Sequence, residues 1–269
     1  MASETKMAVP FPKVDIVIRA KDGHDLTAKA IKSIRDNTAE GTYRIILVDD
    51  GSSPPLFETL EDPGDLYIAR PQSGGAVSAS NLGMSASLAM EDSKYIMIMD
   101  NDASVPDGDD GWLLRFMAEL VEFDDTAVVG ATTNFANPPQ HILFSPMTYT
   151  ADWQDEETRR AGEADNPEVV SLVSFTCLIR KEVIRSLGLW DTRYDPGNYE
   201  DTDFAATVRA AGMKVRVARS VYIHHEGHKT FSNDLKKLLK VNQLKFMKKW
   251  GVGRLEDMGF LKRGEGHAS

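Results

Sequence analysis

The stretch YIMIMDND, Tyr95 to Asp102, decides how this chain is read. Tyr95, Ile96, Met97, Ile98 and Met99 carry no charge and run straight into Asp100 and Asp102. A continuous apolar run of this length predicts a strand buried on both faces, as inside a parallel sheet. Ligands of open α/β sheets sit beyond the carboxyl ends of such strands. Two carboxylates there suit a divalent cation, because hard cations take oxygen ligands and commonly accompany phosphates. Asp also opens turns, so this stretch by itself leaves a turn and a metal site both open.

Upstream, VDIVI (Val14 to Ile18) predicts a first strand, and Leu26, Ala30, Ile31 and Ile34 share one face of a helix. YRIILV (Tyr43 to Val48) predicts a second strand that ends on Asp49-Asp50-Gly51-Ser52-Ser53. Leu66 to Ala69 is a short third strand, followed by Arg70. GGAVSASNLGMSASLAM (Gly74 to Met90) reads as a small-residue helix. Its small side chains suit close packing on a sheet, and the N–H groups of Gly74 and Gly75 suit a phosphate. Strand and helix alternating in this way predict an α/β fold, with a mostly parallel, Rossmann-like sheet flanked by helices. No G-x-G-x-x-G follows the first strand, which argues against a dinucleotide site.

Downstream, helices are expected over Trp112–Phe123, Lys181–Leu187, the segment ending at Ala211, and Asn233–Trp250. Strands are expected at Ala127–Ala131, within the apolar run Val169–Ile179, at Lys214–Val217 and at Val221–Ile223. Residues 132–168, with four prolines and Trp153, have no periodicity and read as a long loop, functional or disordered. The domain expected spans residues 13–251, with a first half at 13–102 and a second at 103–251. Residues 1–12 and 252–269 read as tails.

Composition narrows the function. The formal charge of −10 argues against a general nucleic-acid binder. Lys229 to Arg254 is locally basic, which reads first as a solvated helix face. No window approaches the roughly 18 apolar residues of a membrane span. The single cysteine, Cys177, lies in an apolar segment and suits an inert thiol in a reducing compartment, so a cytoplasmic location is expected.

Polar clusters follow three predicted strands: Asp49-Asp50, Asp100/Asp102 and His224-His225. A fourth, Glu200-Asp201, precedes a helix, where acids also favour the helix dipole. Together they form a set suited to transfer from a nucleoside diphosphate: a partner for the base or ribose, a metal site, a late histidine and a general base.

The order of DDGSS (49–53), GGAVSASNLG (74–83), a strand into DND (100–102), YEDTDF (199–204) and HHEGH (224–228) resembles the inverting glycosyltransferases of family 2, with the GT-A fold. NQLKFMKKWG (242–251) is similar to their C-terminal helix. The resemblance implies a donor site lined by Arg19, Ala20, Asp49, Asp50, Arg70, Gly74, Gly75, Asn81, Asp100 and Asn101. It implies Mn²⁺ or Mg²⁺ on Asp100 and Asp102, with His224 favoured over His225 from its H-x-x-G spacing. It implies a base in the acid pair, Asp201 ahead of Glu200. It makes 13–102 the nucleotide-sugar-binding half and 103–251 the acceptor and catalytic half, with the 132–168 loop and its Trp153 as an acceptor contact or lid. The donor implied is a nucleoside-diphosphate sugar, a UDP-sugar by preference, and the acceptor is a hydroxyl on a glycan, lipid-linked sugar, protein or modified nucleic acid. The chain departs from the family pattern in two places. Arg19-Ala20-Lys21-Asp22 stands where many members have Pro-Thr-Tyr-Asn, and Ser80 stands where an arginine often precedes the asparagine. DNDAS (100–104) also resembles the nucleophile motif of haloacid dehalogenase-like phosphatases, although there it follows the first strand. A catalytically silent sugar-nucleotide-binding protein of the same fold is the other alternative.

Overall fold

A computed structural model describes residues 12–142, 167–227 and 233–262. Strand and helix alternate as β1 (Lys13–Ala20), α1 (His24–Asn37), β2 (Tyr43–Asp49), β3 (Leu66–Ala69), α2 (Ala76–Leu88) and β4 (Ser93–Asp100). The chain continues through β5 (Ala103–Ser104), α3 (Trp112–Glu122), β6 (Thr126–Thr132), β7 (Glu168–Val169) and β8 (Thr176–Arg180). Then come α4 (Lys181–Leu187), α5 (Glu200–Ala210), β9 (Lys214–Tyr222), β10 (His224–His225), α6 (Asn233–Trp250) and α7 (Val252–Asp257). The main sheet has eight strands in the order β3-β2-β1-β4-β8-β6-β9-β7. Its first four positions are parallel, β8 runs antiparallel between β4 and β6, and β9 is again parallel to β6.

The apolar run of β4 is buried on both faces because successive side chains point to opposite sides of a strand. Tyr95, Met97 and Met99 enter one core, with Ile31 and Ile34 of α1 and Trp112 and Phe116 of α3. Ile96 and Ile98 enter the other, with α2, α5, Phe246 of α6 and Leu255 of α7. Full burial of such a side chain is worth about 1.5–3 kcal/mol, so β4 anchors both layers.

Below the sheet, buried Asp15 of β1 pairs with buried Lys181 at 2.9 Å. Ser87 and Ser93 donate hydroxyls to the same carboxylate, and Arg44 reaches its other oxygen. At the opposite end, register places Ala20 beside Asp49 and Arg19 beside Asp100, which brings the polar strand ends together.

Three sequence expectations change. Lys214 to Tyr222 is one strand, with a register shift where it leaves β6. Residues from 252 onward do not begin a tail, because α7 tucks a fully buried Leu255 into the second core. The long loop starts in order: Thr133 bridges to His141, and Gln140 is buried. Trp153 and residues 1–11 of the N-terminal tail expected at 1–12 lie outside the described residues.

Candidate active site

The late histidine reaches the acids through a two-stranded sheet. β10 pairs antiparallel with β5, setting His225 opposite Ala103 and His224 opposite Ser104. Neighbouring side chains on a strand point opposite ways, so only one of the two histidines can face Asp100 and Asp102. It is His225, whose Nε2 lies 3.2 Å from Asp102 Oδ1 and 3.9 Å from Asp100 Oδ2. His224, the choice that H-x-x-G spacing favoured, turns instead toward Glu226 and the Tyr222 hydroxyl. Asp100, Asp102 and His225 offer ligand atoms that all lie within 4.8 Å of one another. The His225 ring stacks on Phe175 and sets its Nδ1 3.1 Å from the Phe135 carbonyl oxygen. That carbonyl accepts the Nδ1 proton, which turns Nε2 toward the acids. Burial lowers the affinity of His225 for a proton, but the Asp102 hydrogen bond and the Asp100 charge outweigh it and hold its pKa above the usual value. Burial and the neighbouring Asp102 raise that of Asp100, against the pull of Arg19.

Arg19 is the hub between this cluster and the acid pair. Its Nε donates to Asp100 Oδ1 at 2.8 Å, and Nη1 donates to Ser80 Oγ at 3.0 Å. Its guanidinium stands over the Trp190 ring. Nη2 reaches the Ser174 carbonyl at 3.4 Å, and the Ser174 N–H reaches Asp201 Oδ2 at 3.3 Å. Asp201 Oδ1 accepts the Thr202 N–H at 2.6 Å. Burial raises the pKa of Asp201, opposed by those hydrogen bonds. Glu200 is 5% exposed, and its Oε2 has no hydrogen-bond partner. Burial first, and the Asp201 charge second, push Glu200 up to about 8. Of the two acids it is Asp201 that lines a large cavity, of about 540 Å³, together with Asn198, Tyr199, Gln243, Phe246 and Phe260.

Arg19, Ala20, Asp50, Gly75, Asp100 and Asn101, all expected at the donor site, share the wall of a second cavity of about 370 Å³ with Asp102. Lys21, Ser73, Ala76, Ala79 and Pro196 complete it, and no local pattern in the sequence singles out Ser73 or Pro196. Asn101 is held by Thr27, to whose hydroxyl it donates at 2.9 Å. Other expected donor residues are placed differently. Asp49 is buried and already accepts from Tyr67 and from the N–H groups of Ser52 and Leu56, so it braces the turn after β2. The N–H groups of Gly74 and Gly75, expected to be free for a phosphate, both donate to Asp50. Arg70 pairs with Asp50 as well, at 3.1 Å. The start of α2 is capped by Asp195, which accepts the N–H groups of Val77 and Ser78. Gly75 is required here, at φ +99°, because a Cβ would strike Asp195 Oδ1 at 2.4 Å. Asn81 is a clamp: its amide exchanges hydrogen bonds with the backbone N–H and carbonyl of Trp190.

The acid pair is itself braced from α6. Asn198 and Tyr199, immediately before Glu200, adopt φ of 71° and 78°, a conformation that costs a non-glycine residue about 1–3 kcal/mol. Asn242 holds this turn by donating to the carbonyls of Tyr194, Gly197 and Asn198. Asp203, the other acid of YEDTDF, accepts from Tyr194, Lys249 and Trp250 and ties α5 to α6.

This fold is that of the GT-A glycosyltransferases. GalNAc-T7, solved with UDP, GalNAc and Mn²⁺, superposes with a TM-score of 0.65 at 13% identity, over 90% of this chain and 49% of that one. The mannosyltransferase PcManGT of Pyrobaculum calidifontis, solved with GDP-Man and Mn²⁺, superposes with a TM-score of 0.61 at 14% identity, over 89% of this chain and 64% of that one. At such identities the likeness is one of fold. The family model described as glycosyl transferase family 2 matches residues 15–188, and the chain belongs to that family. Membership leaves the phosphatase alternative without support. The O-antigen biosynthesis protein RfbC of Myxococcus xanthus is 26% identical over 235 residues, which cover 80% of this chain but only 17% of that protein. Among the described residues, no helix is long and apolar enough to cross a membrane.

Proposed function

We propose that the chain moves a sugar from a nucleoside-diphosphate sugar to an acceptor hydroxyl, with inversion and with help from a divalent metal. The observation that carries this reading is the convergence of Asp100, Asp102 and His225 on one cluster beside the donor cavity. Two carboxylates and an imidazole suit Mn²⁺ or Mg²⁺, since the oxygens satisfy either ion and the nitrogen favours Mn²⁺. The Phe135 carbonyl keeps the proton on Nδ1, which leaves Nε2 as a ligand. Asp100, Asp102 and His225 would therefore hold the ion, which when bound neutralises charge growing on the departing diphosphate. That two solved proteins of this fold were captured with Mn²⁺ and UDP or GDP-Man supports the same donor class here.

Asp201 is the base in this reading. It opens onto the larger cavity while Glu200 stays buried behind it. Burial raises its proton affinity, which suits a group that must take a proton. The acceptor oxygen gives its proton to Asp201 as it bonds the anomeric carbon, and the bond from that carbon to the diphosphate oxygen breaks on the opposite face. The acceptor occupies the 540 Å³ cavity, where Tyr199, Phe246 and Phe260 offer ring faces and Asn198 and Gln243 offer amides. Asn137, Pro138 and Gln140, the described start of the long loop, line the same cavity, in keeping with an acceptor contact.

A UDP-sugar is the favoured donor. A thermal-shift screen of UDP-, GDP- and dTDP-sugars with and without Mn²⁺ identifies it, because a ligand stabilises the folded state it binds. Asp201→Asn is expected to lower turnover by about 10²–10⁴ while donor binding is kept. Near-normal turnover in that variant contradicts the assignment of the base.

A further inference from the structure

Arg19 is largely buried among groups that the two halves of the proposed reaction need, and the family resemblance implies for it no role beyond lining the donor site. Its side chain is 11% exposed. Both Nε and Nη2 contact a single oxygen of Asp100, Oδ1, at 2.8 and 2.7 Å. The other oxygen, Oδ2, is the one that faces His225. The guanidinium thus divides the carboxylate: one oxygen is tied down and the other is presented to the cluster. The fork is itself fixed from three sides. Ser80 of α2 accepts Nη1 at 3.0 Å, the Ser174 carbonyl accepts Nη2 at 3.4 Å, and the Trp190 ring lies 5.7 Å below. The Ser174 peptide carries the connection onward, since its N–H holds Asp201 Oδ2. A residue at the end of β1 therefore joins Asp100 at the end of β4 to Asp201 at the start of α5.

We propose that Arg19 is a positioning residue that sets the Asp100 rotamer for metal binding and, through the Ser174 peptide, aligns the Asp201 carboxylate with it. The proposal rests on the metal and base assignments made above. It adds that neither acid is placed by its own backbone alone. Groups that orient metal ligands typically change metal affinity by about 10–100-fold when removed. A lysine could supply the charge but not the planar fork that meets Asp100, Ser80 and Ser174 at once.

The test is Mn²⁺ binding to the full chain in the absence of donor, read from the electron paramagnetic resonance signal of free Mn²⁺. Wild type, Arg19→Met, Arg19→Lys and Ser80→Ala are compared, with circular dichroism to confirm folding. Arg19→Met is expected to weaken Mn²⁺ binding by about 10–100-fold, and Arg19→Lys to recover only part of that loss. Ser80→Ala removes one tether of the fork and nothing from the cluster, and its expected loss is about 3-fold, a fraction of that range. If Arg19→Met does not fold, Arg19→Lys and Ser80→Ala carry the test. In steady state, Arg19→Lys should raise the donor KM through Asp100 and also lower kcat through Asp201. Mn²⁺ affinity within 2-fold of wild type in the folded Arg19 variants overturns the role of Arg19 and leaves the metal site standing, whereas a wild-type chain that takes up no Mn²⁺ overturns both.

Discussion

β1 carries a buried charge at each end of its span, and the two ends behave in opposite ways. Near its start, Asp15 meets Lys181 and Arg44, with two serine hydroxyls filling the remaining acceptor sites. Lys181 spends its own donors on the Ser87 and Met90 carbonyls and the Ser93 hydroxyl. Every charge there has its opposite and every polar atom its partner. Near its finish, Arg19 faces Asp100, while Asp102, Glu200 and Asp201 crowd the same end of the sheet. Acids exceed bases, burial drives the pKa values of Asp100, Glu200 and Asp201 upward, and Glu200 Oε2 has no hydrogen-bond partner. A balanced buried network holds a fold together, whereas an excess of buried acid costs stability unless a cation or a proton compensates it. The lower end is structure and the upper end is chemistry, and that contrast can be broken in graded steps.

The largest expected effect is at the lower end. Lys181→Met leaves Asp15 buried without its closest cation, and breaking such a pair costs about 3–5 kcal/mol. Urea unfolding should show that loss, while turnover per folded molecule stays at the wild-type value. Asp102→Ala inverts the pattern. Losing a ligand should weaken Mn²⁺ binding by more than about 100-fold, beyond what even a ligand's supporting group contributes, with little change in the urea midpoint. Calorimetric titration of Mn²⁺ reads the first effect and urea the second.

The third step uses pH. Glu200 is raised to about 8, so the folded state holds its proton where the unfolded chain has released it. The sign follows: stability from this group is complete below the unfolded pKa and is lost as pH rises from about 4.5 toward 8. Glu200→Gln cannot ionise, so its advantage over wild type should grow by about 2 kcal/mol between pH 5 and about pH 6.5. A constant difference across that range would mean that Glu200 is not held neutral. The smallest effect belongs to Ser87→Ala, which removes one of several donors to Asp15. It should cost about 1 kcal/mol, visible as a small shift in the urea midpoint.

Much of this was legible in the sequence, because the strands that carry the site announce themselves locally. The apolar run into Asp100 and Asp102 needs no tertiary knowledge, and Lys181–Leu187 and Asn233–Trp250 form helices over the residues their patterns predict. Partners chosen across the fold were not legible. Whether His224 or His225 faces the acids depends on the register of a two-residue pairing with Ala103 and Ser104. The N–H groups of Gly74 and Gly75 go to Asp50, and the Asn81 amide to Trp190, through approaches that no local spacing encodes. Asp15 sits inside an ordinary strand pattern, and only the packing of α4 beneath β4 reveals its partner. Leu255 lay in a polar C-terminal stretch whose periodicity is too short to stand out, yet it is fully buried.

In the function proposed above, the acid-rich end of the sheet takes a nucleoside diphosphate together with a divalent cation. Isothermal titration of UDP into the wild-type chain, once with Mn²⁺ and once with EDTA, tests it most directly. Saturable binding that requires Mn²⁺ and disappears in Asp102→Ala is the predicted result. UDP binding of equal strength in EDTA, or no binding of UDP, GDP or dTDP under either condition, would contradict it.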